Sequence, residues 1–493
     1  MTRREFLAAS AAVALFPAGC ARLFRQSGST VVNDLHSQLN ATRVDRVIKP
    51  GSRDAIQKII RDAKRAQKGI SIAGGRHAMG GQQFGADTIL IDMNGMNRVM
   101  GFDPEKGEIE VEAGIHWPEL VDFLLWEQTG RQDQWGIIQK QTGADRLSIG
   151  GAVGANIHGR GLRFKPFVGD VESFTLADAD GDILKCDRRQ NTERFRLVFG
   201  GYGLFGVVTS VTLRLAPRQV LERVVEVIDL QDLMPSFEKR IAEGFLYGDF
   251  QYSTDPHSDD FLHKGVFSCY RPVKDGRTVP EKQKELSAED WRELIYLGHV
   301  DRKRAFERYS KYYLSSSGQT YWSDIHQMSV YIDHYHEWLD QKVGAQERAT
   351  EMITEIYVPR TELLPFLDDV ASDFRKNRVD LIYGTIRLIE KDDESFLAWA
   401  KERYACIIFN LHVVHSREGL SRATRDFRLL IDRAIGYGGS YFPTYHRWAT
   451  REQVERCYPQ LPAFLQLKRK YDPADRFQSE WYRHYKEMFR DKL

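Results

Sequence analysis

Three short glycine-rich segments set the strongest limits on what this chain can fold into. The first reads Ala73-Gly74-Gly75-Arg76-His77-Ala78-Met79-Gly80-Gly81-Gln82-Gln83. The second runs from Ser148 through Gly150-Gly151-Ala152-Val153-Gly154-Ala155-Asn156-Ile157-His158-Gly159 to Gly161, and the third from Phe199 to Thr209 with glycines at 200, 201, 203 and 206. Glycine lets a backbone turn sharply and lets its N–H groups face a ligand at close range, as an anion-binding concavity requires. Taken singly, the first segment is consistent with a plain turn and the third with a tight helix-to-strand corner. The second is not a strand–GxGxxG–helix unit with an acidic residue about 20 positions on, so a Rossmann fingerprint is excluded.

The elements around these segments alternate between helix and strand periods. Ser52 is placed to cap a helix over 53–67, in which Ile56, Ile59, Ile60 and Ala63 share one face. Short strands are predicted before it at Ile48 and after it over 70–73 and 89–93. Further strands are expected over 108–113, 173–179, 183–186 and 205–215, and Pro118 opens a helix through Leu125. Aromatic-rich segments follow (309–321 and 331–338), with strand candidates over 351–358, 381–389 and 406–413. The expected fold is α+β, with a domain over 40–217, a second α+β domain with an antiparallel sheet over 218–430, and a segment over 431–493 that returns to the first.

Composition narrows the function classes. With 70 basic and 69 acidic residues the formal charge is +1, which argues against a nucleic-acid partner. The five cysteines lie far apart with no CxxC spacing, so neither a disulfide scaffold nor a metal site is expected. Residues 1–25 read as an export signal: Arg3 and Arg4 precede a short apolar stretch, as in the twin-arginine route, and Pro17-Ala18-Gly19-Cys20 resembles a lipoprotein cleavage box. Export to the periplasm or cell envelope is expected, with Cys20 as a candidate lipid anchor.

In their order and spacing the three glycine segments resemble the FAD-binding (PCMH-type) domain of the vanillyl-alcohol oxidase flavoprotein superfamily. Gly150-Gly151-Ala152 with Ile157-His158-Gly159, and later Gly438-Gly439, Thr450, Tyr458-Pro459, Lys468-Arg469-Lys470-Tyr471-Asp472-Pro473 and Arg476-Phe477, are similar to decaprenylphosphoryl-ribose 2'-oxidase. The sugar-lactone and alditol oxidases resemble the chain over the same spans, 45–215 and 438–485, and the middle only in patches. The resemblance implies a two-subdomain FAD-binding domain with a substrate cap. It implies FAD held by Gly74, Gly75, Arg76, His77, Ala78, Gly80, Gly81, Gln82, Gly143, Ser148, Gly150, Gly151, Gly154, Asn156, His158, Gly159, Gly206, Val207 and Val208. It also implies oxidation of a sugar, polyol or lactone carbinol by hydride transfer to flavin N5, with oxygen or a membrane electron carrier as acceptor.

Several positions bear on the chemistry. His77 matches the histidine that alditol and lactone oxidases and cytokinin dehydrogenase bond to the flavin 8α-methyl, whereas the decaprenylphosphoryl-ribose enzymes lack it. The alternative is a histidine that hydrogen-bonds the phosphate loop. Gly384-Thr385-Ile386-Arg387 resembles the Glu-x-Arg strand of the lactone oxidases, with Arg387 kept and the acid replaced by Thr385. Strand alternation puts Cys406, Ile408, Asn410 and His412 on one face, so Asn410 and His412 are candidate pocket residues. Tyr445 falls where relatives place a catalytic lysine, and His446 beside it is the expected base with Tyr445 as its hydrogen-bonding partner. Two rival readings stand beside this one, a cytokinin-dehydrogenase-like C–N oxidation and a flavin-binding electron-transfer or assembly protein.

Overall fold

The computed structural model of the protein describes residues 29–329, 332 and 334–493. Arg3, Arg4, Cys20 and Tyr331 lie outside the described residues. Near the start, Ser52 caps the helix Arg53–Arg65 by accepting from the Ala55 N–H, and Ile56, Ile59, Ile60 and Ala63 are buried. Each isoleucine on that stripe contributes about 1.5–3 kcal/mol by leaving water. The helix covers a three-stranded parallel sheet in which Ile89–Asp92 lies between Arg46–Ile48 and Ile70–Ala73. Parallel strands require such a crossover, and the short apolar run 70–73 is buried as that geometry demands.

Among the described residues a second, six-stranded sheet follows, antiparallel, with Val207–Pro217 at its centre. That strand pairs with Val171–Ala177 on one side and Glu108–Glu112 on the other. The next strand, Val220–Asp229, joins a different sheet. This third sheet has eight antiparallel strands, and its central run is Tyr247–Tyr252, Leu381–Ile389, Tyr404–Val414 and Ala349–Pro359. The helices Leu363–Asn377 and Arg417–Gly436 cover one face with buried Phe366, Val370, Phe427 and Leu430. No helix among the described residues is long and apolar enough to cross a membrane.

The C-terminal residues close the molecule onto its first sheet. Ile70 N–H donates to Arg476 C=O at 2.6 Å, and Gln478 N–H donates back to Ile70 C=O at 2.8 Å, so residues 476–478 run alongside the strand Ile70–Ala73. Asp472 organises that turn. Its carboxylate accepts from the N–H groups of Arg476 and Phe477, both at 2.8 Å, and from the buried Lys468 ammonium at 2.5 Å. Phe477 then fills the core beneath the helix Arg53–Arg65.

Candidate functional site

A large cavity of about 880 Å³ lies between the first two sheets, the eight-stranded sheet and the C-terminal turn. Its size is near the top of the range for small-molecule and cofactor sites, about 300–1,000 Å³. All three glycine segments line it, through residues 74–79, 148–158 and 201–208 in the main. Much of this wall is backbone packed against backbone: a Cβ on Gly75 would come within 2.3 Å of Arg146 O, and one on Gly201 within 2.2 Å of Leu197 O. Gly154 differs. It sits in the short helix Ile149–Ala155, on the cavity wall, and a Cβ there meets nothing nearer than Tyr202 Cα at 3.9 Å. Packing does not require glycine at 154, and glycine costs about 1 kcal/mol relative to alanine inside a helix. An occupant that approaches the backbone closely supplies the reason.

The wall contributed by the eight-stranded sheet is polar. Arg387, on Leu381–Ile389, is buried, and among the described residues its Nε has no hydrogen-bond partner. Asn410 Oδ1, one strand over, is likewise buried and unpartnered. Both side chains line the cavity. Beside them Glu355, on Ala349–Pro359, is 2 % exposed and saturated with donors. Tyr445 Oη–H donates to its Oε2 at 3.1 Å, Tyr357 Oη–H to its Oε1 at 3.2 Å, and the Cys406 thiol also to Oε1. His158 Nε2 touches the same oxygen, while its Nδ1–H faces Gly159 C=O at 3.0 Å. Burial opposes charge on Glu355, but the His158 imidazole, the Cys406 thiol and the Arg387 guanidinium outweigh it and hold the carboxyl at about 2. Burial, with that carboxylate adjacent, pushes Tyr445 well above the usual tyrosine range.

The turn carrying Tyr445 is fastened by two of the glycine segments. Gln82 Nε2 donates to Pro443 C=O at 3.1 Å and to Thr444 C=O at 2.8 Å, and Gly80 N–H donates to Thr444 C=O at 3.0 Å. Tyr202, from the third segment, meets the Thr444 hydroxyl at 3.0 Å.

Comparison with known proteins identifies the cofactor. Residues 44–187 match the model of the FAD binding domain. That stretch is similar to the FAD binding domain and points to FAD as the cofactor. Bovine L-gulonolactone oxidase is 27% identical over 212 residues, 43% of this chain and 46% of that protein, so the match spans about half the length of that relative. L-gulono-1,4-lactone dehydrogenase of Mycobacterium tuberculosis is 23% identical over 450 residues, 89% of this chain and 95% of its own. Decaprenylphosphoryl-beta-D-ribose oxidase of Mycolicibacterium smegmatis is 20% identical over 451 residues, 86% and 91% respectively.

The residues present fit FAD. A dinucleotide needs a wall its phosphates can approach closely and polar groups to receive its rings and ribose, and this cavity has both. Gln83 Oε1 and Gln141 Nε2 are, like Arg387 Nε and Asn410 Oδ1, buried on its lining with no hydrogen-bond partner among the described residues. Of the positions expected to bind FAD, Gly74, Gly75, Arg76, His77, Ala78, Gln82, Gly143, Ser148, Gly150, Gly151, Gly154, His158, Gly206 and Val208 lie on the cavity. Five do not. Asn156 spends its side chain on Asp392 Oδ2 and Val168 N–H, in the left-handed residue that ends its helix. Val207 faces the core, Gly159 packs against Lys140 O, Gly80 belongs to the fastening of the C-terminal turn, and Gly81 C=O accepts from Trp481 N–H at 3.4 Å.

The expected catalytic residues divide in the same way. Arg387, Asn410 and Tyr445 meet on the cavity. Arg387 is no surface arginine. His412 points instead to Glu351, with Nδ1 at 3.5 Å from Oε1. His446 is a correction: it turns away from the cavity into an aromatic nest of Phe427, Tyr441 and Trp448. Its Nε2 sits 3.3 Å from Thr354 Oγ1, and Tyr445 bonds Glu355 rather than His446. Burial drives the His446 imidazole down to about 3, so it is neutral and a poor base. Glu355 escaped the sequence reading. Thr385 pairs with Ile408, and Ile408 pairs with Glu355, so the carboxylate missing at 385 enters from two strands away. A signal was present in Glu351 and Glu355, two acids on one face of a strand whose other residues carry no charge.

A buried neutral histidine has a clear pH signature. Its contribution to stability is complete above its ordinary 6.5 and is lost as the pH falls toward about 3. His446→Phe should therefore flatten the loss of unfolding free energy between pH 6 and 4 in chemical denaturation (on the order of 1 kcal/mol or more over that interval), with flavin content unchanged.

Proposed function

We propose that this protein is an exported FAD-dependent oxidoreductase that oxidises a CH–OH group of a sugar, polyol or aldonolactone. The observation that carries the reading is the meeting of Arg387, Asn410 and the Tyr445–Glu355 pair on the cavity lined by the glycine segments. Bound FAD supplies a two-electron acceptor for hydride at N5. The parallel and antiparallel sheets before residue 218 are read as the two subdomains of a PCMH-type domain, with 218–430 as the cap and 431–493 as the closing segment. Export rests on the twin-arginine-like sequence at the N-terminus, and Cys20 is the lipidation candidate there. Reoxidation by oxygen or by a membrane electron carrier fits that location.

The chain's own residues supply the remaining work. Arg387 Nε has no hydrogen-bond partner among the described residues, so the guanidinium has a donor available to the carbinol oxygen or to negative charge on reduced flavin. The Asn410 carbonyl accepts from a neighbouring hydroxyl. Tyr445 accepts the carbinol proton while passing its own to Glu355 Oε2, to which it is already bonded. A carboxylate held at about 2 is adequate for this, because the protonated carbonyl left by hydride loss is a far stronger acid. Tyr309 and Tyr313, stacked at 4.3 Å on the helix Arg302–Ser315, offer flat apolar faces to a sugar ring. The C–N oxidation reading is disfavoured at Glu355, because protein donors occupy both of its oxygens and leave neither open to take an amine proton directly.

Anaerobic mixing with a panel of aldonolactones, polyols and amines tests this. At least one lactone or polyol should bleach the flavin, and Tyr445→Phe should slow that reduction by about 10²–10⁴-fold with little change in substrate affinity. A panel that leaves fully flavinylated protein yellow would overturn the proposal. We also propose that His77 tethers the flavin. It lines the cavity, and burial with His36 at 2.8 Å holds it down to about 3, so its imidazole is the neutral form a covalent bond requires. Acid-precipitated wild-type protein should stay yellow and His77→Ala should release its flavin; wild-type protein that loses all colour in acid contradicts the tether.

A further inference from the structure

A second buried group of ionisable side chains shares the strand of Glu355 but takes no part in the chemistry above. Glu351 lies four residues earlier on the same face, 5 % exposed. Three histidines from three separate elements converge on it. His299, near the end of the helix Ala288–Val300, brings Nε2 to 2.8 Å from Glu351 Oε1. His412, directly opposite Glu351 in the strand register, brings Nδ1 to 3.5 Å from the same oxygen. His336, in the helix Tyr335–Val343, brings Nδ1 to 2.7 Å from Oε2. The ligand atoms of His299, Glu351 and His412 all fall within 4.8 Å of one another.

Hydrogen bonding within the protein leaves this group incomplete. The His299 Nδ1–H faces Ile295 C=O at 2.8 Å, which fixes a proton on that nitrogen. Its Nε2 then presents a lone pair to a carboxylate oxygen, a repulsive arrangement unless a proton or a cation lies between them. His336 is 4 % exposed, and neither of its ring nitrogens has a hydrogen-bond partner among the described residues. Its Nδ1 is close to Oε2 yet out of line for a hydrogen bond. The Tyr335 hydroxyl, by contrast, bonds Oε2 at 2.6 Å, an outer contact that orients the carboxylate.

We propose that His299, His336, His412 and Glu351 bind a divalent transition-metal ion of the zinc type. Three imidazoles and one carboxylate form a borderline donor set suited to such an ion, and four protein ligands make a closed, structural site. Metal–ligand bonds of about 2.0–2.2 Å in a tetrahedron place ligand atoms about 3.3 Å apart. The atoms of His299, Glu351 and His412 lie within 4.8 Å of one another, so they close in by up to about 1.5 Å, and His336, which touches only Oε2, swings in further as the fourth ligand. The ion would pin the helices Ala288–Val300 and Tyr335–Val343 to the sheet beside the cavity. Sequence spacing carries no trace of the site because its ligands come from four distant elements.

The test uses the full-length flavoprotein, stripped with a chelator and titrated with zinc against a chromophoric competitor. One zinc per chain is expected, with a rise in the thermal midpoint. Glu351→Gln and the double variant His299→Ala/His336→Ala, compared at matched flavin content, should weaken binding by at least about 100-fold. Cys406→Ser should leave it unchanged, which separates this site from the nearby Cys406, His158 and Glu355 group. Where a variant fails to fold, the zinc absorption edge of wild-type protein decides: nitrogen and oxygen ligands support the site, and a sulfur ligand overturns it. Wild-type protein that binds no stoichiometric zinc, or Glu351→Gln that binds it equally, overturns it too. In that case Glu351 is neutralised by protonated imidazoles alone.

Discussion

The cavity depends on a clamp between two stretches of chain more than 350 residues apart. Gln82 gives its amide protons to the carbonyls of Pro443 and Thr444, and the Tyr202 hydroxyl meets Thr444. These bonds are buried, where an unmet carbonyl costs about 1–3 kcal/mol, so the turn has a strong preference for this one seating. Tyr445 is the residue the turn delivers. Its phenol reaches Glu355 because the glycine segments hold the turn from the other side. Cofactor wall and reaction wall are thus registered against each other through backbone carbonyls, which are less free to shift than long side chains.

Two buried carboxylates on one strand face set the electrostatics of the sheet wall. A buried charge is expensive unless it is paired and hydrogen-bonded, and Glu351 and Glu355 are treated differently. Glu355 accepts from two tyrosines and a thiol and contacts His158, and the Arg387 charge adds to its field. The carboxylate is therefore fixed in charge and position, which suits the anchor of a proton path. Glu351 is surrounded by three imidazoles, of which His336 has no hydrogen-bond partner among the described residues. Two acids four residues apart in one strand thus have separate proposed roles, one as the anchor of a proton path and the other as the centre of a metal site.

Local features were legible in the sequence, and long-range ones were not. The helix after Ser52, the short buried strand at 70–73 and the three glycine segments follow from capping, period and backbone freedom, all of which act over a few residues. Alternation placed Asn410 on the cavity but could not say that His412, two residues on, would turn to Glu351. The preference for His446 failed for a specific reason. A histidine's usual titration range says nothing of burial, and the aromatic nest around this one holds it neutral. Glu355 and the Glu351 cluster arise from strand order, in which Ala349–Pro359 inserts beside Tyr404–Val414 and brings an acid level with Thr385.

The central claim is that a dinucleotide lies against a wall kept free of side chains for its sake. Gly154 isolates that claim, because a Cβ there lies on the cavity wall and meets nothing nearer than Tyr202 Cα at 3.9 Å. The direct measurement is the visible flavin absorbance of purified Gly154→Leu relative to its protein absorbance. The account predicts a folded protein, no less stable than wild type without its flavin, that is almost colourless and cannot be reconstituted with FAD. A Gly154→Leu protein carrying the wild-type complement of flavin would contradict it.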